Sequence, residues 1–254
     1  MHLSEIVERY DERLRVTDYA DLDASANGLQ VGSADAKIES AAYAVDAAAE
    51  TIDLAREAGA DLPVTHHGLV WDGLERVTDR EYRRIAGLIR GDLALYVAHL
   101  PLDGHGKLGN AAGVADVLGL EDRAPFGSLG PEHLGQRGRL PEPASGAELR
   151  DCLAGTLDHE GRVRLFDFGP DAIETVGVVT GSGADWLEEA ATAGLDAFVT
   201  GEGKAKLYHD AKELGITVVL AGHYATETFG VRSLEALAAD WGLETTFLDC
   251  PTGL

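Results

Sequence analysis

The feature that most limits what this chain can become is a regular alternation of short apolar runs with amphipathic stretches of helical length. AAYAVDA (41–47), DLPVTHH (61–67) and LALYVAHL (93–100) read as strands, with ETIDLAREAGA (50–60) and DREYRRIAGLIRGD (79–92) as the helices between them. A helix over 3–15 precedes this run, SANGLQVG (25–32) is a glycine-broken turn into a short strand, and NAAGVADVLGL (110–120) follows as a helix. Strands separated by helices of this length require crossover connections and therefore a mainly parallel sheet.

A second run of the same kind begins near residue 173. ETVGVVTG (174–181), LDAFVTGEG (195–203) and ITVVLAGHY (216–224) read as strands; ADWLEEAATAG (184–194), AKLYHDAKELG (205–215) and TETFGVRSLEALAADWG (226–242) read as helices. AGADLPVTHHG (58–68) aligns without a gap on AGLDAFVTGEG (193–203), and YVAHLPLD (96–103) on VLAGHYATE (219–227). His99 then falls on His223 and Asp103 on Glu227, so each run carries a histidine followed four residues later by a carboxylate. The expectation is an α/β protein of two similar halves from an internal duplication, with mixed, mainly parallel sheets flanked by helices and a metal site between the halves. The expected division is 1–120 for the first half, 121–172 for a proline- and glycine-bearing connector with one strand at RVRLFDFG (162–169), and 173–254 for the second half.

Composition narrows the class of function. With 45% hydrophobic residues the chain has ample material for a packed core. No apolar run approaches the roughly 18 residues of a membrane span, and the amphipathic MHLSEIVERY lacks the apolar core of a signal peptide, so a cytoplasmic protein is expected. Against 44 acidic residues stand 21 basic ones, a net charge of −23, which disfavours nucleic acid as a partner. So negative a surface repels itself unless counter-ions screen it, which points to a salt-rich cytoplasm. Cys152 and Cys250 have no CxxC spacing; two buried, reduced cysteines are expected and no thiolate metal site.

The residues that carry chemistry cluster at strand ends. His66 and His67 close one expected strand, His99 a second and His223 a third, and in an open α/β sheet ligands gather at the carboxyl ends of strands. Asp103 and Glu227 fall in the turn or first helical turn that follows, where backbone amides favour a negative charge. A single histidine at a strand end is commonly a satisfied polar group; four of nine so placed, two of them with matched carboxylates, favour metal ligation. Imidazole and carboxylate without thiolate suits two divalent ions from among iron, zinc, manganese, nickel and cobalt. Two Lewis acids roughly 3.5–4 Å apart would activate one water, as in two-metal hydrolases. His99, His105 and Glu202 are the candidate proton carriers, with His209 a further candidate contact. His2, His133 and His159 are expected at the surface. TGSGA (180–184) is a tight turn that lacks the spacing of a phosphate-binding loop.

VTHHGLVWDG, AHLPLDGHGKLGN, TGEGKAKLYHDA and AGHYATETFGVRSL together resemble the NIF-three-like family, whose members are labelled GTP cyclohydrolase type 2 homologs, and the likeness runs from NGLQVG (27–32) to the C-terminus. The resemblance implies duplicated α/β halves, a dinuclear metal site and a ring-shaped homohexamer with sites facing an inner cavity. Carried over residue by residue, the ligands fall on His66, His67, Asp103, His223 and Glu227, with Glu227 shared between the metals. The expected function is a metal-dependent hydrolase acting on a nucleotide or related small molecule. A non-catalytic metal-binding assembly or regulatory protein is the alternative.

Overall fold

The structure, a computed structural model, describes residues 1–157 and 163–253; His159 lies outside them. In the first part of the chain the elements are α1 (Leu3–Leu14), β1 (Gly28–Val31), β2 (Ser40–Asp46), α2 (Ala49–Glu57), β3 (Leu62–His67), α3 (Asp79–Arg90), β4 (Leu95–Val97), α4 (Leu100–Asp103) and α5 (Asn110–Val117). There follow β5 (Glu121–Leu129), β6 (Glu132–Ala144), α6 (Gly146–Thr156), β7 (Arg164–Phe166), β8 (Ile173–Val178) and α7 (Leu187–Thr192). The described chain then closes with β9 (Ala197–Thr200), α8 (Leu207–Leu214), β10 (Thr217–Leu220), α9 (His223–Asp240) and β11 (Glu244–Phe247).

These elements form two sheets and two compact units. The first unit is Met1–Leu102 with Gly230–Cys250, and the second is Asp103–Phe229 with the residues from Pro251. This differs from the expected division at 120 and 173. Helix α5 belongs to the second unit because Ala111, Val114 and Ala115 bury their side chains with Ile173, Val176 and Val199, and each fully buried valine or isoleucine contributes roughly 1.5–3 kcal/mol. The segment expected as a connector is not loop: β5 and β6 form an antiparallel hairpin, and β6 pairs with β8. Its prolines and glycines obscured the alternation of a strand that is largely exposed on one side.

In the first unit the strand order is β1-β4-β3-β2-β11, with β11, β2, β3 and β4 mutually parallel and β1 antiparallel at the edge. Leu88 of α3, Ile52 and Ala55 of α2, and Leu95 and Val97 of β4 make its core. Helix α1 buries Leu3, Ile6, Tyr10 and Leu14, a three- and four-residue spacing that keeps one face inward. The Tyr10 hydroxyl is 2.8 Å from that of Tyr43 and donates to the Leu234 carbonyl, so the polar ends of the buried rings are satisfied.

In the second unit the order is β5-β6-β8-β9-β10-β7. Strands β8, β9 and β10 are parallel, while β5, β6 and β7 join antiparallel, so this sheet is mixed rather than mainly parallel. Each unit thus contains three parallel neighbours in chain order with helices between them, β2-β3-β4 and β8-β9-β10. Parallel strands bring all their carboxyl ends to one edge, and that edge carries the chemistry. Neither cysteine is buried as expected: Cys152 is exposed on α6 and Cys250 is half-buried near the last strand. No helix among the described residues is long and apolar enough to cross a membrane.

Candidate metal centre

In the first unit, parallel pairing places Asp46 beside His67 at the ends of β2 and β3. The Ala98 amide donates to the Thr65 carbonyl, which extends the β3–β4 pairing and carries His99 alongside His66. His66 and His67 would point to opposite faces of a regular strand, yet at the strand end their ring centroids lie 4.7 Å apart. His99 stands 5.1 Å from His66 and 5.6 Å from His67. One nitrogen from each of the three rings falls within 4.8 Å of the others, so this trio can hold a metal ion.

What fixes the rings is the partner of each Nδ1. His66 Nδ1 donates to the Ala98 carbonyl at 2.9 Å, His67 Nδ1 to Asp46 Oδ1 at 2.9 Å, and His99 Nδ1 to Asp23 Oδ1 at 2.8 Å. A carbonyl or carboxylate only accepts, so in the neutral ring the proton sits on Nδ1 and the lone pair on Nε2. This is the arrangement in which metal-binding histidines are held by their outer neighbours. Asp23 is the most heavily engaged of those neighbours. Beyond His99 it accepts from the Ser25 amide (2.9 Å), the Asn27 side-chain amide (2.8 Å) and the Leu100 amide (3.0 Å). Burial alone would raise its carboxyl pKa, but the bonds from His99, Asn27 and Ser25 outweigh burial and hold it below the usual range.

In the second unit the site residues follow β8, β9 and β10 in turn. Thr180 and Gly181 lie beyond β8, Glu202 beyond β9, and His223 opens α9 just after β10 with Glu227 one turn on. His223 Nε2 lies 3.1 Å from Glu227 Oε2 and its Nδ1 3.1 Å from Glu202 Oε1. Burial pulls the imidazole pKa down, but bonds to and charges on Glu227 and Glu202 outweigh it and raise the value to about 9. Without metal, His223 is therefore a cation between two carboxylates. The Ser182 hydroxyl bonds to Glu202 and holds that carboxyl below its ordinary pKa against partial burial.

Buried Asp103 accepts from Asn110 Nδ2 at 2.8 Å and from the Thr180 hydroxyl at 3.4 Å. It offers a carboxylate oxygen within 4.8 Å of one from Glu227. Two buried carboxylates so close, beside a third group that is cationic only while protonated, form a donor set suited to a hard or borderline divalent ion. Gly181 makes room for them: it adopts φ +57°, and a Cβ there would stand 2.0 Å from Glu227 Oε1. The glycine turn of TGSGA thus packs on a carboxylate, and its amide donates to Thr226 Oγ1 at 3.2 Å.

The chain matches the DUF34/NIF3 (NGG1p interacting factor 3) family over residues 1–252. It belongs to that family. A relative from Halobacterium salinarum, named GTP cyclohydrolase 1 type 2 homolog, is 60% identical over 255 residues and the match covers 100% of both chains. Among solved structures, TTHA1606 from Thermus thermophilus superposes with a TM-score of 0.90 at 38% identity, covering 100% of each chain. Protein ybgI, described as of unknown function, gives 0.91 at 32% identity, again over 100% of both chains.

Of the sequence-predicted residues in this family member, His66, His67 and His99 gather in the first unit, and Asp103, Glu202, His223 and Glu227 lie in the second. His99 shares the environment of the other two imidazoles. His105 uses Nδ1 to accept from the Lys107 and Leu108 amides at 3.2 and 3.0 Å, the role of a turn cap. His209 is exposed on α8 with its ring edge on Tyr208, 5.5 Å between centroids. His2 is exposed, whereas His133 is half-buried within β6. Sequence reasoning missed Asp23, Asp46, Asn110, Thr180 and Ser182. The DxxxN of Asp23 and Asn27 was visible, but nothing local marks an acid 76 residues from its histidine as that histidine's partner.

Proposed function

We propose that this chain works in the cytoplasm as a metal-dependent hydrolase of a nucleotide or related small molecule, in a homo-oligomer whose form is a ring-shaped hexamer. Two divalent ions drawn from iron, zinc, manganese, nickel and cobalt would be held by His66, His67, Asp103, His223 and Glu227, the set that the family resemblance assigns. The observation that carries the reading is the first-unit trio: His66, His67 and His99 each have Nδ1 bonded to an acceptor, and one nitrogen from each ring lies within 4.8 Å of the others.

Bound divalent ions supply Lewis acidity that lets water react near neutral pH. The chain's own groups do the rest. Asp23 and Asp46 hold His99 and His67 in the tautomer that can ligate. Glu202, partly exposed and bonded through Oε1 to Ser182 and His223, is the candidate for shuttling a proton between His223 and solvent.

The test is metal content per chain by mass spectrometry, oligomeric mass by light scattering, and turnover of nucleotides, pterins and phosphoesters after saturation with manganese, iron or zinc. Two ions per chain, a sixfold mass and hydrolysis lost in Glu227→Gln are expected. Metal and assembly lost together in Glu227→Gln, with no turnover in any loaded form of the native chain, would overturn the hydrolase reading in favour of a metal-binding assembly or regulatory protein.

A further inference from the structure

The first unit contains a cavity of about 600 Å³ between the segment after β3 and the first turns of α3, within the size range of small-molecule sites. Trp71, Leu74, Arg76, Arg80 and Arg84 line it, with Glu75 and Glu81. Three arginines at one pocket stand out in a chain with 21 basic residues against 44 acidic ones. Arg80 is paired with Glu81 at 2.8 Å. Arg84 lies in the field of Glu81 but makes no ion pair with it, and its Nε is shielded from water with no hydrogen-bond partner among the described residues. Arg76 is exposed and in no ion pair among the described residues. Arg84 and Arg76 thus bring to the cavity guanidinium groups that no carboxylate among the described residues neutralises by an ion pair, and an anion fits there.

Trp71 gives the same pocket a flat apolar wall. The residue is 41% exposed, and its indole is held in place by Nε1 donating to the Gly68 carbonyl at 3.1 Å. The ring stands edge-on to His99, 5.0 Å between centroids at 78°, and 6.3 Å from His67. One side of the tryptophan therefore abuts the imidazole trio while the residue also lines the cavity.

We infer that this cavity binds a phosphorylated planar ring, the ring stacked on Trp71 and the phosphate taken by Arg84 and Arg76. Stacking on an indole suits any aromatic heterocycle, and a guanidinium fork suits phosphate. The arginines would also offset the repulsion that a −23 surface exerts on a polyanion. Calling this ligand the substrate rests on the hydrolase reading; the binding itself does not.

The experiment is calorimetric titration of the full chain, metal-loaded and chelator-treated, with AMP, GMP and CMP, the matching nucleosides, and inorganic phosphate. At least one nucleotide should bind more tightly than its nucleoside in both forms. Arg84→Gln should weaken that nucleotide about ten- to a hundredfold while leaving the nucleoside unchanged, with Arg84→Lys intermediate. Trp71→Ala should weaken nucleotide and nucleoside alike, and metal content should not change in either variant. Nucleotides binding no better than nucleosides, or an Arg84→Gln chain with native thermal stability and unaltered nucleotide affinity, would overturn the inference. Tight, arginine-dependent binding without turnover would leave it standing while the hydrolase reading fails. Turnover indifferent to Arg84 and Arg76 would do the reverse.

Discussion

Replacing Asp23 tests the account of how the imidazoles are held. Its carboxylate accepts four hydrogen bonds, from His99 Nδ1, Ser25 N, Asn27 Nδ2 and Leu100 N, and its side chain is only 1% exposed. Asp23→Ala orphans four donors in a site nearly sealed from solvent. Each buried unsatisfied donor costs roughly 1–3 kcal/mol. If water entering the vacated volume recovers about half, a loss of roughly 2–6 kcal/mol remains, or at least about 4 °C in Tm for a chain of this size. Asp23→Asn retains the volume but presents an N–H₂ group to two of the four donors, whichever way the amide turns. Where that nitrogen faces His99, the ring must move its proton to Nε2, which removes the lone pair from that nitrogen. Circular-dichroism melts of the metal-free chain measure the first effect; nitrogen chemical shifts of the His99 ring measure the second. Because burial is outweighed by hydrogen bonds and Asp23's folded pKa is lowered, its contribution is present above the unfolded value near 3.8 and is lost as pH falls through the folded value. The gap between native and Asp23→Ala melts should therefore close in acid. A Tm drop under about 2 °C at neutral pH, with the His99 tautomer unchanged in Asp23→Asn, would refute the reasoning.

Three further outcomes are expected. Gly181→Ala must displace the Glu227 carboxylate, since its Cβ would stand 2.0 Å from Oε1 at φ +57°; metal affinity measured against a competing chelator should fall about 10- to 100-fold, and an unaltered affinity would contradict the packing. His223, with its pKa raised to about 9, is protonated in the metal-free chain at pH 7, so metal uptake should release close to one proton per chain and gain about tenfold in apparent affinity per pH unit below 9, read by calorimetry in buffers of different ionisation enthalpy; proton-neutral binding would contradict it. With a net charge of −23, lowering KCl from molar to millimolar should reduce Tm and lower the mass of the proposed oligomer; an unchanged melt and mass would remove the case for a salt-rich setting.

Much of the fold was legible in the chain because it depends on local periodicity. Strands β2, β3, β4, β8, β9 and β10 and the helices between them fall where short apolar runs and amphipathic stretches alternate. The hairpin β5–β6 was not legible: its residues face solvent on one side and carry Pro125, Pro141 and Pro143, so partners rather than pattern make them strands. The imidazoles and acids themselves were recognisable from residue type and from their position after apolar runs. Their supporting groups were not, since Asp23 lies 76 residues from His99, Asp46 21 from His67 and Thr180 77 from Asp103.

Taken alone, the order of residues determined which segments extend, which coil, and which donor atoms arrive at strand ends, because these follow from spacing within a few residues. Only the tertiary structure decided that α5 and Asp103 belong with the second sheet, that Gly181 cedes its space to Glu227, and which nitrogen of each imidazole carries the proton. Those outcomes depend on which strands become neighbours. A hydrogen bond acts over about 3 Å, so its partner is chosen by packing rather than by distance along the chain.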